Sequence, residues 1–423
     1  MNFIHGRLLG KLLTHMNLNC TKTILLAASL AVAVGCGLSE PEFRRYETWR
    51  FKVEKSLDEK DRSSPELKRE IDESLAALFG TPNSPAIPPS SEAADVSKLL
   101  DPRKLSLSAG PIGSDQQGNP HGLYRKHCVH CHGLTGDGNG PTASFLNPYP
   151  RDYRPGKFKF KSTPLGAKPT HDDLHRVLVN GIAGTAMPSF RLLTEAELES
   201  LIQYVQYLSI RGEVERQLIK NASELGKDEH LISTKTADSK AQQEVYQAQL
   251  EGIKTLAADV VSKWLAAETA ATAVPARATM EGKELAESQK RGRELFYGKV
   301  ANCFSCHGDS SLGDGVVNDY DDWVKEFIDK EKSDIVQKYV SLGMPKPRNI
   351  RPRNLRQGVF RGGLRPVDIF WRVRNGIEGS PMPGNQKLTP NEIWDVVNYV
   401  QSLPYESVSD PRQAEPVNMR ERN

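Results

Sequence analysis

The sequence predicts a mainly α-helical protein with two similar domains joined by a helical linker. A five-residue cysteine and histidine motif occurs twice, the segment after each motif repeats with the same spacings, and each repeat ends in an amphipathic helix. With 423 residues the chain is long enough for two or three domains that each bury a core. Its net charge of +3 is nearly balanced, which argues against nucleic acid as a partner.

The beginning of the chain has the pattern of an export signal. Lys22 precedes an apolar run over residues 23–34, and small residues lead from this run to Cys36. We predict a signal peptide over residues 1–35, because the run is shorter than the roughly 20 apolar residues that span a bilayer. The sequence around Cys36 resembles a bacterial lipoprotein site, which implies a lipid anchor and a periplasmic or other extracytoplasmic location at a membrane. Simple cleavage and a retained helix are the alternatives.

Residues 36–105 are charged and helical in part, and a proline-rich stretch over residues 82–89 interrupts them. This composition predicts an N-terminal tether that carries a small helical extension. Such a tether would hold the remaining domains away from a membrane surface.

The motif C-x-x-C-H occurs at residues 128–132 and 303–307. Two cysteines three apart on one helical turn reach the two vinyl groups of a haem and form thioethers, and the adjacent histidine then reaches the iron. The motifs therefore predict two covalent c-type haems. Their covalent residues are Cys128, Cys131, Cys303 and Cys306, and their proximal iron ligands are His132 and His307.

Two other uses of paired cysteines compete with haem attachment. Four cysteines can bind one zinc ion, but zinc has no need for a histidine directly after each pair. Disulfides and redox-active dithiols lack that histidine too, and the dithiol motifs usually occur in βαβ patterns.

The segments after the two motifs share their spacing. In each copy an asparagine precedes a methionine by seven residues, and a threonine follows that methionine by seven. The methionines are Met187 and Met382, and the threonines are Thr194 and Thr389. Shared spacing of this kind implies shared geometry.

Both segments resemble class I cytochrome c domains, and the resemblance covers about half of the chain. It implies that Met187 and Met382 are the second axial ligands, whose soft thioether sulfur favours ferrous iron and raises the reduction potential. A lone methionine is otherwise core filler. Met344 competes with Met382, but it precedes the segment of Arg353, whereas Met187 follows the corresponding segment of the first domain.

The same resemblance assigns residues around the haems. Pro141 resembles the family proline whose carbonyl accepts the ring N–H of the proximal histidine, and the second domain has no proline at that place. Arg151 and Arg353 each follow a proline and are expected near the haem edge, where arginine pairs with propionates. Solvent-exposed charge is the alternative for both arginines.

Each repeat closes with a helix that begins in a capping box, Thr194 with Glu197 and Thr389 with Glu392. In the family this closing helix packs across a helix that leads into the haem motif. Gly292 and Phe296 fit that leading helix in the second domain. The first domain has Pro120 and Tyr124 instead, which predicts a shorter or distorted leading helix there. The predicted boundaries are residues 106–212 for the first domain, 213–285 for the helical linker, 286–406 for the second domain and 407–423 for a C-terminal tail.

The second domain carries two charged segments. Residues 321–329 have the pattern of an acidic amphipathic helix, and residues 346–374 contain nine Lys or Arg and one acidic residue. The basic segment predicts a face near the second haem that steers an acidic redox partner. Internal pairing with the acidic insertion is the alternative.

These observations predict electron transfer between periplasmic or membrane respiratory partners. The chain resembles the two-haem cytochrome subunits of bacterial respiratory and dehydrogenase complexes, so an electron carrier is favoured over an enzyme. Two alternatives stay open: a two-haem cytochrome c peroxidase, and a haem module that binds a gas. A peroxidase needs an iron with a releasable sixth ligand, which two matched methionines do not favour.

Overall fold

The computed structural model describes residues 40–56, 65–91, 94–226, 229–233, 239–315, 319–328 and 333–406. The predicted signal peptide, Cys36 and the C-terminal tail lie outside these residues. Within the described part, no helix is long and apolar enough to span a bilayer.

The predicted fold class is confirmed, because the described chain is mainly α-helical. Its helices are α1 (Glu47–Lys55), α2 (Pro65–Phe79), α3 (Pro102–Ser108), α4 (Leu123–His127), α5 (Val129–His132), α6 (His171–Asn180), α7 (Glu195–Glu224), α8 (Lys240–Leu265), α9 (Gly282–Tyr297), α10 (Phe304–His307), α11 (Asp322–Lys325), α12 (Ser333–Ser341), α13 (Pro366–Asn375) and α14 (Pro390–Ser402). Two short antiparallel ribbons complete it, β1 (Gly113–Ser114) with β2 (Pro120–His121) and β3 (Asp319–Tyr320) with β4 (Asn349–Ile350).

The N-terminal extension is part of the first domain, so the prediction of a tether is wrong over the described residues of 42–105. Helix α2 buries one apolar face, which includes Ile71, Leu75 and Phe79, in the same core as α7. The Tyr207 hydroxyl of α7 donates a hydrogen bond to the Phe79 carbonyl. Charged residues on the opposite face of α2 lower the average hydrophobicity of this segment, so its composition alone does not indicate that one face is buried.

Helix α7 begins at the predicted capping box, in which Thr194 and Glu197 exchange hydrogen bonds. It then continues unbroken to Glu224, so the predicted domain boundary between residues 212 and 213 lies inside a helix. The buried residues of α8, among them Val261 and Trp264, pack against the core that α7 builds. The predicted linker therefore supports the first domain as well as leading to the second.

The second domain has the expected pair of crossing helices. Gly292 of α9 lies so close to α14 that a Cβ atom placed on it would be 2.0 Å from the Asp395 carbonyl oxygen. Phe296, one turn later, is buried in the core with α14 residues. In the first domain the leading helix α4 has only five residues, and α3 packs on α7 instead, with the Ser108 and Ser200 hydroxyl oxygens 2.6 Å apart.

The acidic insertion forms a shorter helix than predicted, since within its described residues 321–328 the helical part is the single turn α11. Val324 and Phe327 are buried, which fixes the insertion against the rest of the protein. Its Glu326 carboxylate lies 2.7 Å from the Lys52 ammonium, which belongs to the N-terminal extension. The insertion thus forms an ion pair with the first half of the chain, while the adjoining residues Asp319 and Tyr320 pair through their backbones with the basic segment in the β3–β4 ribbon.

Candidate haem sites

The two C-x-x-C-H motifs adopt the same local structure. Each forms a single helical turn, α5 or α10. In each turn the backbone N–H of the histidine donates to the carbonyl of the first cysteine, at 2.8 Å for His132 and 3.0 Å for His307. All four motif cysteines are free thiols that form no disulfide. They are therefore available for thioether bonds to a haem.

The ring of each proximal histidine is oriented by a backbone carbonyl. His132 Nδ1 donates a hydrogen bond to the Arg151 carbonyl oxygen at 3.0 Å, and His307 Nδ1 donates to the Arg353 carbonyl oxygen at 3.1 Å. Burial lowers the pKa of His132 to about 4 and also lowers the pKa of His307. Both rings are thus neutral near pH 7, with Nε2 left to bind iron.

These bonds correct the role predicted for Pro141. The residues on either side of it, Gly140 and Thr142, donate their N–H groups to the carbonyls of Cys131 and His130. The loop of Pro141 therefore closes over the motif turn, and the Arg151 carbonyl accepts from His132 in its place. The sequence predicts a role for the side chains of Arg151 and Arg353 at the haem edge. Only the recurrence of an arginine after a proline in both repeats indicates that the backbone at these positions has a shared role.

The two methionine loops also match. The Ile182 N–H donates to the Met187 carbonyl and the Ile377 N–H to the Met382 carbonyl, both at 3.1 Å. Both methionines line the cavity that contains the motif residues. Met344 is buried in a separate apolar cluster with Phe327 and Tyr339 and does not line that cavity.

A continuous cavity of about 1970 Å³ contains both motifs and both methionines. This exceeds the roughly 300–1,000 Å³ of a pocket for one small ligand, so there is room for two large groups. Its charged wall is strongly basic, with two aspartates against eight Lys or Arg residues. The eight are Arg151, Lys159, Lys325, Arg348, Arg351, Arg353, Arg361 and Arg372, and the aspartates are Asp319 and Asp321.

The cavity fits haem in its donor set as well as in its size. The Nε atoms of Arg353 and Arg361 are buried and have no hydrogen-bond partner among the described residues. Propionate carboxylates are suitable acceptors for such guanidinium groups. When bound, each haem would be held by the cysteines and histidine of one motif and would supply a one-electron iron couple.

The two sites differ in how far their proximal histidines are shielded. The His132 ring is buried and stacks on Tyr153, with ring centroids 4.7 Å apart and planes at 19°. The His307 ring is half-buried and lies at a tilt to Phe296, with centroids 6.2 Å apart. The ring of His132 is therefore the more enclosed of the two, a difference that the matched motifs do not reveal.

The basic segment 346–374 forms the predicted exposed face only in part: Lys346, Arg348, Arg351 and Arg365 are exposed, whereas other cations of the segment make internal contacts. Arg348 also donates to the Leu146 carbonyl of the first domain at 2.6 Å. Arg356 forms an ion pair with Glu406 at 2.7 Å, and Arg372 is buried and donates to the Gly363 carbonyl at 2.7 Å. These cations serve internal contacts and the cavity wall, since hydrogen-bonding groups of the backbone lie within their reach.

Comparison with known proteins gives matches in both domains. Residues 115–205 match the family model described as cytochrome c oxidase, cbb3-type, subunit III, and residues 289–404 match the model described as cytochrome c. No curated protein matches the chain. Among solved structures, a chain of the Kuenenia stuttgartiensis reducing HAO-like protein complex Kustc0457/Kustc0458 is 24% identical, with coverage of 69% of this chain and 98% of that chain and a TM-score of 0.43. The chain contains two cytochrome c-type domains, which imply two covalently bound c-type haems and a function in haem-based electron transfer.

Proposed function

We propose that the chain relays electrons between two redox partners. One partner exchanges electrons at each haem site, and the two sites exchange electrons with each other inside the protein. The observation that carries this proposal is the continuous cavity that contains both motifs. Separate carriers need only separate clefts, whereas a shared cavity gives the two sites a common interior wall. The methionines Met187 and Met382 are the proposed sixth ligands, which stabilise ferrous iron.

The surface around each site suits a docked protein partner. Pro188 and Pro381 flank the two methionine loops and are exposed at the cavity. Exposed lysines, Lys126 and Lys299, directly precede cavity-lining residues of the two domains. We infer that acidic redox proteins, as components of a respiratory or dehydrogenase complex, dock at these two places, because complementary charge accelerates encounter.

Redox titration of the purified protein with both haems is expected to resolve two one-electron steps. The first site should have the higher potential, because a buried site penalises the additional positive charge of ferric iron more strongly than a half-buried one. We expect no turnover of hydrogen peroxide. Sustained peroxide turnover would instead support the peroxidase alternative, and a lower potential at the first haem would contradict the argument from burial.

We further propose that the mature protein is extracytoplasmic and is anchored by a lipid on Cys36. The support is the export pattern of residues 1–35 and the small residues before this cysteine. A Cys36→Ala variant is expected to move from the membrane fraction to the soluble periplasmic fraction while its haem content stays unchanged. Unchanged membrane association of this variant would count against the lipid anchor.

A further inference from the structure

Within the charged wall of the shared cavity, five residues from both haem domains form one cluster. The first domain contributes Arg151 and Lys159 to it, and the second contributes Arg353, Arg361 and Asp321. All five line the cavity that contains both motifs. Four cations against one carboxylate make this cluster positive.

Lys159 and Asp321 form an ion pair across the domain junction. Their side chains are only 14% and 19% exposed, so water screens the pair weakly. Burial lowers the pKa of Lys159 to about 8, with the nearby Arg151 and Arg361 acting in the same direction and Asp321 opposing them. The lysine therefore stays mostly charged at neutral pH.

Other contacts hold the junction without lining both sites. Asn375 Nδ2 donates to the Ser162 carbonyl at 3.0 Å, and the Lys161 ammonium lies 2.9 Å from the Glu378 carboxylate. Neither pair is part of the cavity wall. Of these three contacts between the domains, the Lys159–Asp321 pair is the one that lines the cavity containing both motifs.

We propose that Lys159 and Asp321 are positioning residues that set the reduction potentials of both haems together. A cation near two iron sites favours the ferrous state of each, because oxidation adds a positive charge. The Lys159 ammonium raises both potentials, and the Asp321 carboxylate opposes this effect and holds the lysine at the junction. This inference rests on the proposed relay, since it concerns how the relay is tuned.

The test is a spectroelectrochemical titration of the full-length protein with both haems. Lys159→Met is expected to lower both midpoint potentials. Asp321→Asn is expected to raise both when the titration is run at about pH 6, where Lys159 keeps its proton without the carboxylate that raises its pKa. Lys159→Arg, which retains the charge, should restore both potentials towards the wild-type values. Lys52→Met is the matched control, because Lys52 pairs with Glu326 of the same insertion at 2.7 Å but does not line the cavity. It should leave both potentials unchanged.

A shift at only one haem in Lys159→Met would overturn the shared role. Equal shifts in Lys159→Met and Lys52→Met would also overturn it, since loosening of the junction would then be the cause. Asp321→Asn supplies an independent test with the opposite sign if Lys159→Met folds poorly. Haem content is measured first, so a protein without two haems would refute the relay itself and not the tuning of its potentials.

Discussion

Replacing Met382 by alanine is expected to abolish the sulfur-to-iron absorption band of the second haem and to lower its potential. Met382 lines the cavity in a loop that matches the loop of Met187 in its hydrogen bonds, so removal of its sulfur should leave the iron without the proposed sixth ligand. Loss of the soft thioether removes a preference for ferrous iron. Carbon monoxide should then bind the reduced second site, while the first haem keeps its spectrum.

Met344→Ala is the matched control for this change. Met344 is buried in a cluster with Phe327 and Tyr339, so its truncation should cost about 2–5 kcal/mol of stability but leave the sulfur-to-iron band in place. If Met344→Ala removed the band and Met382→Ala did not, the alignment of the two repeats would be wrong in the second domain.

Replacing Gly292 by alanine is expected to destabilise the second domain by about 3 kcal/mol, the upper end of the usual cost of overpacking. The new methyl group would lie 2.0 Å from the Asp395 carbonyl oxygen and 2.9 Å from the Tyr399 Cβ. Backbone cannot move aside as a flexible side chain can, so α9 and α14 must separate. Hydrogen exchange should show faster opening of both helices, with little change in α7.

Gly252→Ala is the control for this prediction. Gly252 lies inside helix α8, is exposed and has no heavy atom within 4 Å of a Cβ placed on it. Alanine there should stabilise the helix by about 0.5–1 kcal/mol, because it restricts the unfolded chain and fits the helical backbone. Equal effects of the two substitutions would show that the crossing of α9 and α14 is looser than the structure describes.

Features that depend on local sequence could be predicted. The cysteine and histidine motifs and the capping boxes at Thr194 and Thr389 each follow from residues near one another in the chain. The crossing at Gly292 joins residues about one hundred positions apart, and it was predicted by the family resemblance together with the missing Cβ of the glycine. Their physical causes, such as a side chain that caps a helix or a missing Cβ, can be read directly from the residue type.

Features that depend on long-range contacts could not be predicted. Any residue has a carbonyl, so residue type gives no sign that the Arg151 carbonyl accepts from His132. The composition of the basic segment predicts an exposed face, and it gives no sign of internal contacts such as that of Arg348 with the Leu146 carbonyl, which lies about two hundred residues away in sequence. Charged composition likewise concealed that α2 buries one face against α7.

The central claim is that one chain carries two covalent haems, and mass spectrometry of the denatured protein tests it most directly. Thioether bonds survive denaturation, so the measured mass should exceed that of the processed polypeptide by two haem masses. Cys303→Ala together with Cys306→Ala should reduce this excess to one. A native chain that retains one haem or none after denaturation would contradict the account.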